Sequence, residues 1–148
     1  MFQHDLAFGK VYEGIAHTLL DGETIEEVPV GAFKGWDFRT NKATYEVKSD
    51  RLAHKYGYRT MFIEYECSGK PSGISTTEAD YWFYFMVNPD GTYRHFKFSV
   101  SELREKCKGC PSKVGGDGWR SRGFIVPVAT PTETAPHRQL PMGMRVSE

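Results

Sequence analysis

The segment from Tyr81 to Phe98 constrains the fold of this 148-residue chain more than any other. Tyr81 to Val87 is almost wholly aromatic and apolar, and Asn88-Pro89-Asp90-Gly91 separates it from a second extended run, Thr92 to Phe98. Two such runs joined by a short turn rich in Asn, Pro, Asp and Gly predict a β-hairpin. The side chains expected in its core are Trp82, Tyr84 and Phe96.

Periodicity and capping residues predict the other elements. An amphipathic helix is expected over residues 5–20, with Asp5 as its cap and an apolar stripe made of Phe8, Val11, Tyr12, Ile15 and Leu19. Extended runs are expected at 25–33, 36–39, 44–49, 59–67 and 123–128, and the second and third of these pair as a hairpin around Asn41-Lys42. Short helices are expected to begin at Ser75, through capping-box spacing with Glu78, and at Ser99 or Ser101.

This order of elements indicates an α/β or α+β domain built on a mixed central sheet flanked by helices. Residues 1–128 are predicted to form a single domain, and the prolines after residue 129 predict a loosely ordered tail over residues 129–148. A folded chain of this length buries about 70% of its unfolded surface, so its core needs neither a metal nor a disulfide. The sequence has no apolar run long enough to span a bilayer and no signal-peptide pattern, so we expect an intracellular protein without a membrane partner.

Charge is balanced overall but uneven along the chain. There are 19 basic and 19 acidic residues. Residues 34–61 nevertheless carry seven bases against three acids, and residues 102–122 carry six against three. If the fold brings these two stretches together they form a positive face, which is what phosphate binding requires. Ordinary solvated surface is the alternative.

The most informative motif lies in the hairpin around Asn41-Lys42. Glu46 and Lys48 share one face of their strand, and Asp37 is expected across from residue 46, so that two carboxylates and an ammonium converge. Mg²⁺ favours an oxygen shell with one or two carboxylates, which Asp37, Glu46 and the backbone carbonyl of Val47 can provide; Mn²⁺ can substitute. Lys48 can hold or help deprotonate an attacking water and offset charge on a phosphoryl group. An exposed hairpin with a cross-strand salt bridge is the competing interpretation.

Two further groups of residues are candidates for the same chemistry. Glu13, beside the apolar stripe of the first helix, is either a ligand acting through water or a solvated carboxylate. Glu64 and Glu66 point to a common side of their strand, and one of them is either an outer partner of the site or, more simply, a partner for Arg59 or Lys55. The loop after residue 69 offers hydroxyl groups and free N–H groups at the predicted helix start, where DNA phosphate would suit. The residues expected to contact DNA there are Lys70, Ser72, Gly73, Ser75, Thr76 and Thr77.

These pieces resemble the PD-(D/E)XK nuclease superfamily, and in particular its small phage-encoded members. The resemblance is carried by Asp37 followed by Glu46-Val47-Lys48, with Glu13 on a preceding helix, and by the segments 5–13, 45–50, 62–66, 69–74 and 77–82. It implies a restriction-endonuclease-like core, a Mg²⁺-dependent DNA endonuclease activity, and a catalytic centre made by Asp37, Glu46 and Lys48 with Glu13 assisting. If the chain is phage-encoded, the cytoplasm of an infected bacterium is the expected location.

Several alternatives stay open at this point. The chain can be a nucleic-acid-binding protein with the same fold and no turnover, or a zinc-stabilised interaction module centred on Cys107 and Cys110. Zinc is disfavoured because the second half of a tetrahedral site is missing. The substrate can be duplex, single-stranded, branched or mismatched DNA, and a symmetric homodimer is compatible with those that need two cuts.

Overall fold

The computed structural model describes residues 2–31, 35–115 and 120–128 of the chain. Two helices are present in this part, α1 (Phe2–Thr18) and α2 (Val100–Cys107), together with 3₁₀ turns at Ala53–Tyr56 and Gly73–Ser75. The strands are β1 (Ile25–Glu27), β2 (Phe38–Thr40), β3 (Thr44–Asp50), β4 (Thr60–Cys67), β5 (Lys70–Pro71), β6 (Tyr81–Val87), β7 (Tyr93–Ser99), β8 (Ser112–Gly115) and β9 (Ser121–Pro127).

The strands form two sheets. The first sheet has five strands in the order β1-β2-β3-β6-β7, and it is mixed because β3 and β6 run parallel while its other neighbours are antiparallel. The second sheet is antiparallel, with four strands in the order β5-β4-β9-β8. The chain is therefore a mixed α and β protein, as the sequence predicts.

Strand β6 is the centre of the fold because both of its faces are covered. Phe83, Phe85 and Val87 pack on one side with residues of α1, including Tyr12 and Ile15. On the other side, β6 packs against β4, β9 and α2 through a second core cluster. The members of β6 in that cluster are Trp82, Tyr84 and Met86. A strand buried on both faces reads as a continuous apolar run, which explains the composition of this segment.

The central sheet is thus flanked differently from what the sequence predicts. One face is covered by α1, as expected, but the other is covered by the second sheet together with α2. That second sheet includes β8, which has no counterpart among the predicted elements. Only 25–27 of the run predicted at 25–33 forms a strand among the described residues, and residues 32–34 lie outside them.

Most element predictions are confirmed, with differences at their ends. The first helix already begins at Phe2, so Asp5 lies within it and does not cap it. Tyr12 and Ile15 are buried and Val11 and Leu19 pack beside them, whereas the Phe8 side chain lies outside the described part. Ser99 caps α2, since its hydroxyl accepts a hydrogen bond from the N–H of Glu102 at 3.1 Å. The predicted tail over residues 129–148 also lies outside the described residues.

In the parts of the chain that the structure covers, no helix has the length and apolar character that a bilayer crossing requires.

Candidate active site

The hairpin of β2 and β3 carries a β-bulge at Asp37. The N–H of Asp37 donates to the carbonyl of Tyr45 at 2.8 Å, although the register pairs Tyr45 with Phe38. Two residues of one strand therefore face one residue of the other, which is the defining feature of a bulge. The extra residue re-aims the Asp37 side chain along the edge of β3.

The Asp37 carboxylate accepts a backbone hydrogen bond from β3, in the place of a carbonyl group of a neighbouring strand. Its Oδ2 accepts a hydrogen bond from the N–H of Val47 at 2.7 Å. Because the N–H and C=O of one strand residue point to the same edge, the carbonyl of Val47 also points to the edge on which Asp37 lies. The bulge thus gathers a carboxylate and a backbone carbonyl at one edge of β3, as the sequence predicts.

Glu46 and Lys48 lie on the face of β3 that points toward the second sheet. Their side chains form an ion pair, with Lys48 Nζ 3.2 Å from Glu46 Oε2. The Glu46 side chain is only 14% exposed, whereas that of Lys48 is 41% exposed. Lys48 also lies over the ring of Trp82, 5.5 Å from the ring centroid. The pair is therefore partly enclosed: Glu46 is mostly covered, and part of the Lys48 side chain is exposed.

Negative charge is concentrated at this position. Burial raises the pKa of Glu46, and the charge of Asp37 raises it further; Lys48 lowers it without cancelling the effect. Burial also raises the pKa of Glu13, followed by the charge of Asp37, despite an ion pair between Glu13 and Lys10 at 3.7 Å. Two carboxyl groups from different elements are thus coupled to Asp37, which brings all three predicted acids into one electrostatic neighbourhood.

The same acids keep Lys48 charged. Burial works against the ammonium, but the charges of Glu46 and Asp37 outweigh it and raise the pKa of Lys48. A lysine with a raised pKa is protonated at neutral pH, so in this arrangement it donates hydrogen bonds and positive charge.

The structure adds Glu64 as a neighbour of the site. Glu64 lies on β4 of the second sheet, and its charge contributes to the raised pKa of Lys48. Its Oε1 accepts from the hydroxyl of Ser121 at 2.7 Å and its Oε2 from that of Ser72 at 2.8 Å. The simpler prediction, a pairing with Arg59 or Lys55, is wrong, because two serine hydroxyl groups orient this carboxylate.

The loop predicted to bind phosphate has a different structure. No helix begins at Ser75; Gly73–Ser75 is one 3₁₀ turn, and Ser75 donates its hydroxyl to the carbonyl of Tyr65 at 2.8 Å. The helix prediction is wrong because the hydroxyl that was expected to cap a helix bonds β4 instead. A three-residue turn has no aligned helix dipole for an anion.

Individual residues of that loop also occupy unexpected positions. Lys70 lies in β5, paired with β4. Thr77 is buried; its hydroxyl donates to the carbonyl of Gly35 at 3.3 Å and accepts from the N–H of Ala79 at 3.2 Å. Ser72 and Gly73 pack against Glu64. Ser75 and Thr76 are exposed. Contact of these residues with DNA stays a prediction, but Ser72 of the loop holds Glu64 through its hydroxyl.

The donor set beside Lys48 suits a hard divalent cation. Asp37, Glu46 and the Val47 carbonyl are all oxygen donors, and Mg²⁺ is commonly held by one or two carboxylates with several waters. Burial is the largest cause of the raised pKa values of Glu13 and Glu46, and the charge of Asp37 adds to it at both residues. Within the described ranges, no three His, Cys, Asp or Glu side chains stand close enough to form a complete metal cage.

Cys107 and Cys110 lie at the end of α2 and just after it. Burial, together with the neighbouring Cys110, raises the pKa of Cys107 to about 11. The thiol of Cys110 donates to the carbonyl of Lys106 at 3.0 Å. Both groups are free thiols, and zinc coordination by them stays an alternative.

Comparisons with known proteins give this chain no relative: no protein-family model, no curated protein and no solved structure matches it.

Proposed function

We propose that this chain is a Mg²⁺-dependent DNA endonuclease with a restriction-endonuclease-like core, of the PD-(D/E)XK type. The observation that supports this most strongly is the bulged hairpin, in which the Asp37 carboxylate accepts from the N–H of Val47 at 2.7 Å beside the Glu46–Lys48 ion pair at 3.2 Å. A surface salt bridge alone does not need a second carboxylate aimed at the same strand edge. Two acids beside a lysine suit phosphodiester chemistry, since binding alone favours bases over carboxylates.

In this proposal, Asp37, Glu46 and the Val47 carbonyl hold the cation, and Glu13 supports them. When bound, Mg²⁺ supplies positive charge at the phosphoryl oxygens and a nucleophilic water near neutral pH. The ammonium group of Lys48 donates hydrogen bonds to a phosphoryl oxygen or to the attacking water, and its charge offsets the developing negative charge. Glu64 is a positioning residue, because its charge helps to keep Lys48 protonated.

Variants of Asp37 and Lys48 test the proposal. We expect the wild type to nick plasmid DNA with Mg²⁺ or Mn²⁺ and not with EDTA. Asp37→Asn keeps the shape of the side chain but weakens metal binding, and Lys48→Ala should lower the rate by about 10²- to 10³-fold, as loss of one transition-state donor does. Lys42→Ala, which removes an exposed lysine from the turn of the same hairpin, is the matched control.

The outcomes separate the alternatives. Equal nicking by the wild type and both site variants would refute the mechanism, provided that thermal melting shows all three folded. DNA binding without cleavage of linear, branched or mismatched DNA under any metal would instead support a binding protein without turnover. Zinc in elemental analysis of the purified protein would support the third alternative.

A further inference from the structure

The segment between β3 and β4, residues 51–59, is an exposed turn with a fixed backbone. The N–H of Lys55 donates to the carbonyl of Leu52 at 2.9 Å, and that of Tyr58 donates to the carbonyl of Ala53 at 3.1 Å. Ala53 is buried in the core, and Gly57 and Tyr58 both have positive φ, at 68° and 58°. The turn is therefore anchored in the core through Ala53, and its outer surface has a fixed shape.

That surface exposes apolar and aromatic side chains. Tyr56 is 53% exposed and Leu52 is 51% exposed. Lys113 of β8 reaches across to this ring, with its Nζ 3.3 Å from Tyr56 Oη and 4.8 Å from the ring centroid. A lysine from another strand holds this exposed ring in a fixed orientation. Binding of a ligand to the ring therefore costs little conformational entropy of the side chain.

The surroundings of the ring are basic. Residues 51–59 contain three Lys or Arg residues and one His but no acid. Lys55 and Arg59 are exposed, and the Arg59 side chain lies next to Gly57, one residue from the ring. We call this group, made of Leu52, Lys55, Tyr56, Arg59 and Lys113, the Tyr56 surface. An aromatic ring among basic side chains suits single-stranded nucleic acid, because a nucleobase stacks on the ring and the phosphates pair with the Lys and Arg side chains.

The Tyr56 surface is tied to the strand that carries the candidate active site. Asp50, the last residue of β3, accepts from the N–H of Leu52 at 2.8 Å and from the hydroxyl of Tyr84 at 2.6 Å. Lys48 and Leu52 are four residues apart, which is at most about 13 Å of extended chain. This distance is about four stacked nucleotide steps of one strand.

We infer that the Tyr56 surface binds an unpaired, single-stranded stretch of DNA beside the cleavage position, with one nucleobase stacked on Tyr56 and its flanking phosphates on Lys55, Arg59 and Lys113. This inference rests on the proposed function for the identity of the nucleic acid, and it adds a preference for DNA with unpaired bases. An aromatic ring adds little to binding of fully stacked duplex, whose bases are not free to stack on it.

Binding measured without cleavage tests the inference. Fluorescence anisotropy in EDTA gives Kd for a labelled single-stranded oligonucleotide and for its duplex. Tyr56→Ala should raise Kd for the single strand by about 5- to 100-fold, and Tyr56→Phe should leave it near the wild-type value, because stacking needs the ring and not the hydroxyl. Lys55→Ala should reduce the slope of log K against log salt by about 0.7 for the single strand. Lys42→Ala, at the opposite end of β3, should change neither quantity.

The results distinguish this inference from the proposed function. Equal Kd values for wild type and Tyr56→Ala on the single strand would overturn the inference, whether or not the protein cleaves DNA. A loss of binding that is equal for single strand and duplex would also overturn it. Binding to vesicles that contain anionic lipid, with no binding to oligonucleotides, would assign the surface to a membrane instead. Tight Tyr56-dependent binding with no cleavage would refute the endonuclease and leave the inference standing.

Discussion

Replacing Gly73 with alanine should destabilise the protein far more than the same change at Gly69. Both glycines have positive φ, 54° at Gly73 and 78° at Gly69, so alanine at either position takes an unfavourable backbone conformation. A Cβ at Gly73 would lie 2.2 Å from the backbone carbonyl oxygen of Glu64, whereas a Cβ at Gly69 would meet nothing within 4 Å. The two variants therefore differ mainly in one steric contact.

The magnitude follows from these two effects. A left-handed backbone costs a non-glycine residue about 1–2 kcal/mol, and the lower entropy of the unfolded alanine variant offsets about 0.4–1 kcal/mol of this. Gly69→Ala should therefore lower the free energy of unfolding by about 1 kcal/mol. At Gly73 the overlap is with backbone, which cannot rotate away, and forcing such a contact adds about 1–3 kcal/mol.

Urea unfolding followed by tryptophan fluorescence measures the difference. With a slope of about 2 kcal/mol per molar for a domain of this size, the midpoint of Gly73→Ala should lie about 0.5–1.5 M below that of Gly69→Ala. Because the displaced carbonyl belongs to Glu64, the loss should come with a changed environment of Lys48. Equal midpoints for the two variants would refute the close packing of the loop against β4.

Three more predictions test other parts of the structure. Burial lowers the pKa of His17, whose ring centroid lies 4.3 Å from that of Phe38, so below about pH 6.5 the unfolded chain binds a proton that the folded chain does not. The free energy of unfolding should therefore fall between about pH 7.5 and 5.5, and it should fall less in His17→Phe. Urea titrations that show the same fall for the wild type and the variant would contradict this. Cys107, with a pKa of about 11, should alkylate at pH 8 at least about tenfold more slowly than Cys110 by mass spectrometry, and equal rates would refute its burial. Tyr84→Phe leaves Asp50 and the N–H of Phe62 without their hydroxyl partner, and it should cost about 1–3 kcal/mol in urea unfolding; no measurable change would show that the two bonds contribute nothing.

The hairpins and the amphipathic helix could be predicted from the sequence because their signals are local. Each of these signals depends on residues that are close together in the sequence: the 81–98 hairpin, the pairing around Asn41-Lys42 and the cap at Ser99. The shared face of Glu46 and Lys48 follows from the two-residue period of a strand, and the ion pair between them agrees with it. The predicted proximity of Asp37 to this strand needed only the turn position.

The helix predicted at Ser75 shows where local patterns fail. Ser75 and Glu78 have the spacing of a capping box, but a capping box requires a helix that can continue. Ser72 and Ser75 instead donate their hydroxyl protons to β4, and Glu78 donates its N–H to the carbonyl of Gly35. Tertiary hydrogen bonds thus replace the local ones, and no spacing rule in a single sequence anticipates them.

The position of Glu64 could not be predicted for a related reason. Glu64 is separated from Lys48 by 16 residues and lies in a different sheet, and one of its serine partners, Ser121, is 57 residues away. The only local signal was the alternation of the strand, which places Glu64 and Glu66 on one side. The bulge at Asp37 was equally invisible, because its extra residue is defined by the register of the partner strand.

The face of β3 that carries Lys48 meets a carboxylate that belongs to the other sheet, and this division has a physical consequence. The free energy of the Lys48 charge depends on how far apart the two layers sit, since Glu64 moves with β4 and Glu46 moves with β3. A change deep between the layers, such as Ile63→Val, can therefore shift the protonation of a lysine that it never touches. The pKa of that amine, measured by NMR titration, would then report on the spacing between the two sheets.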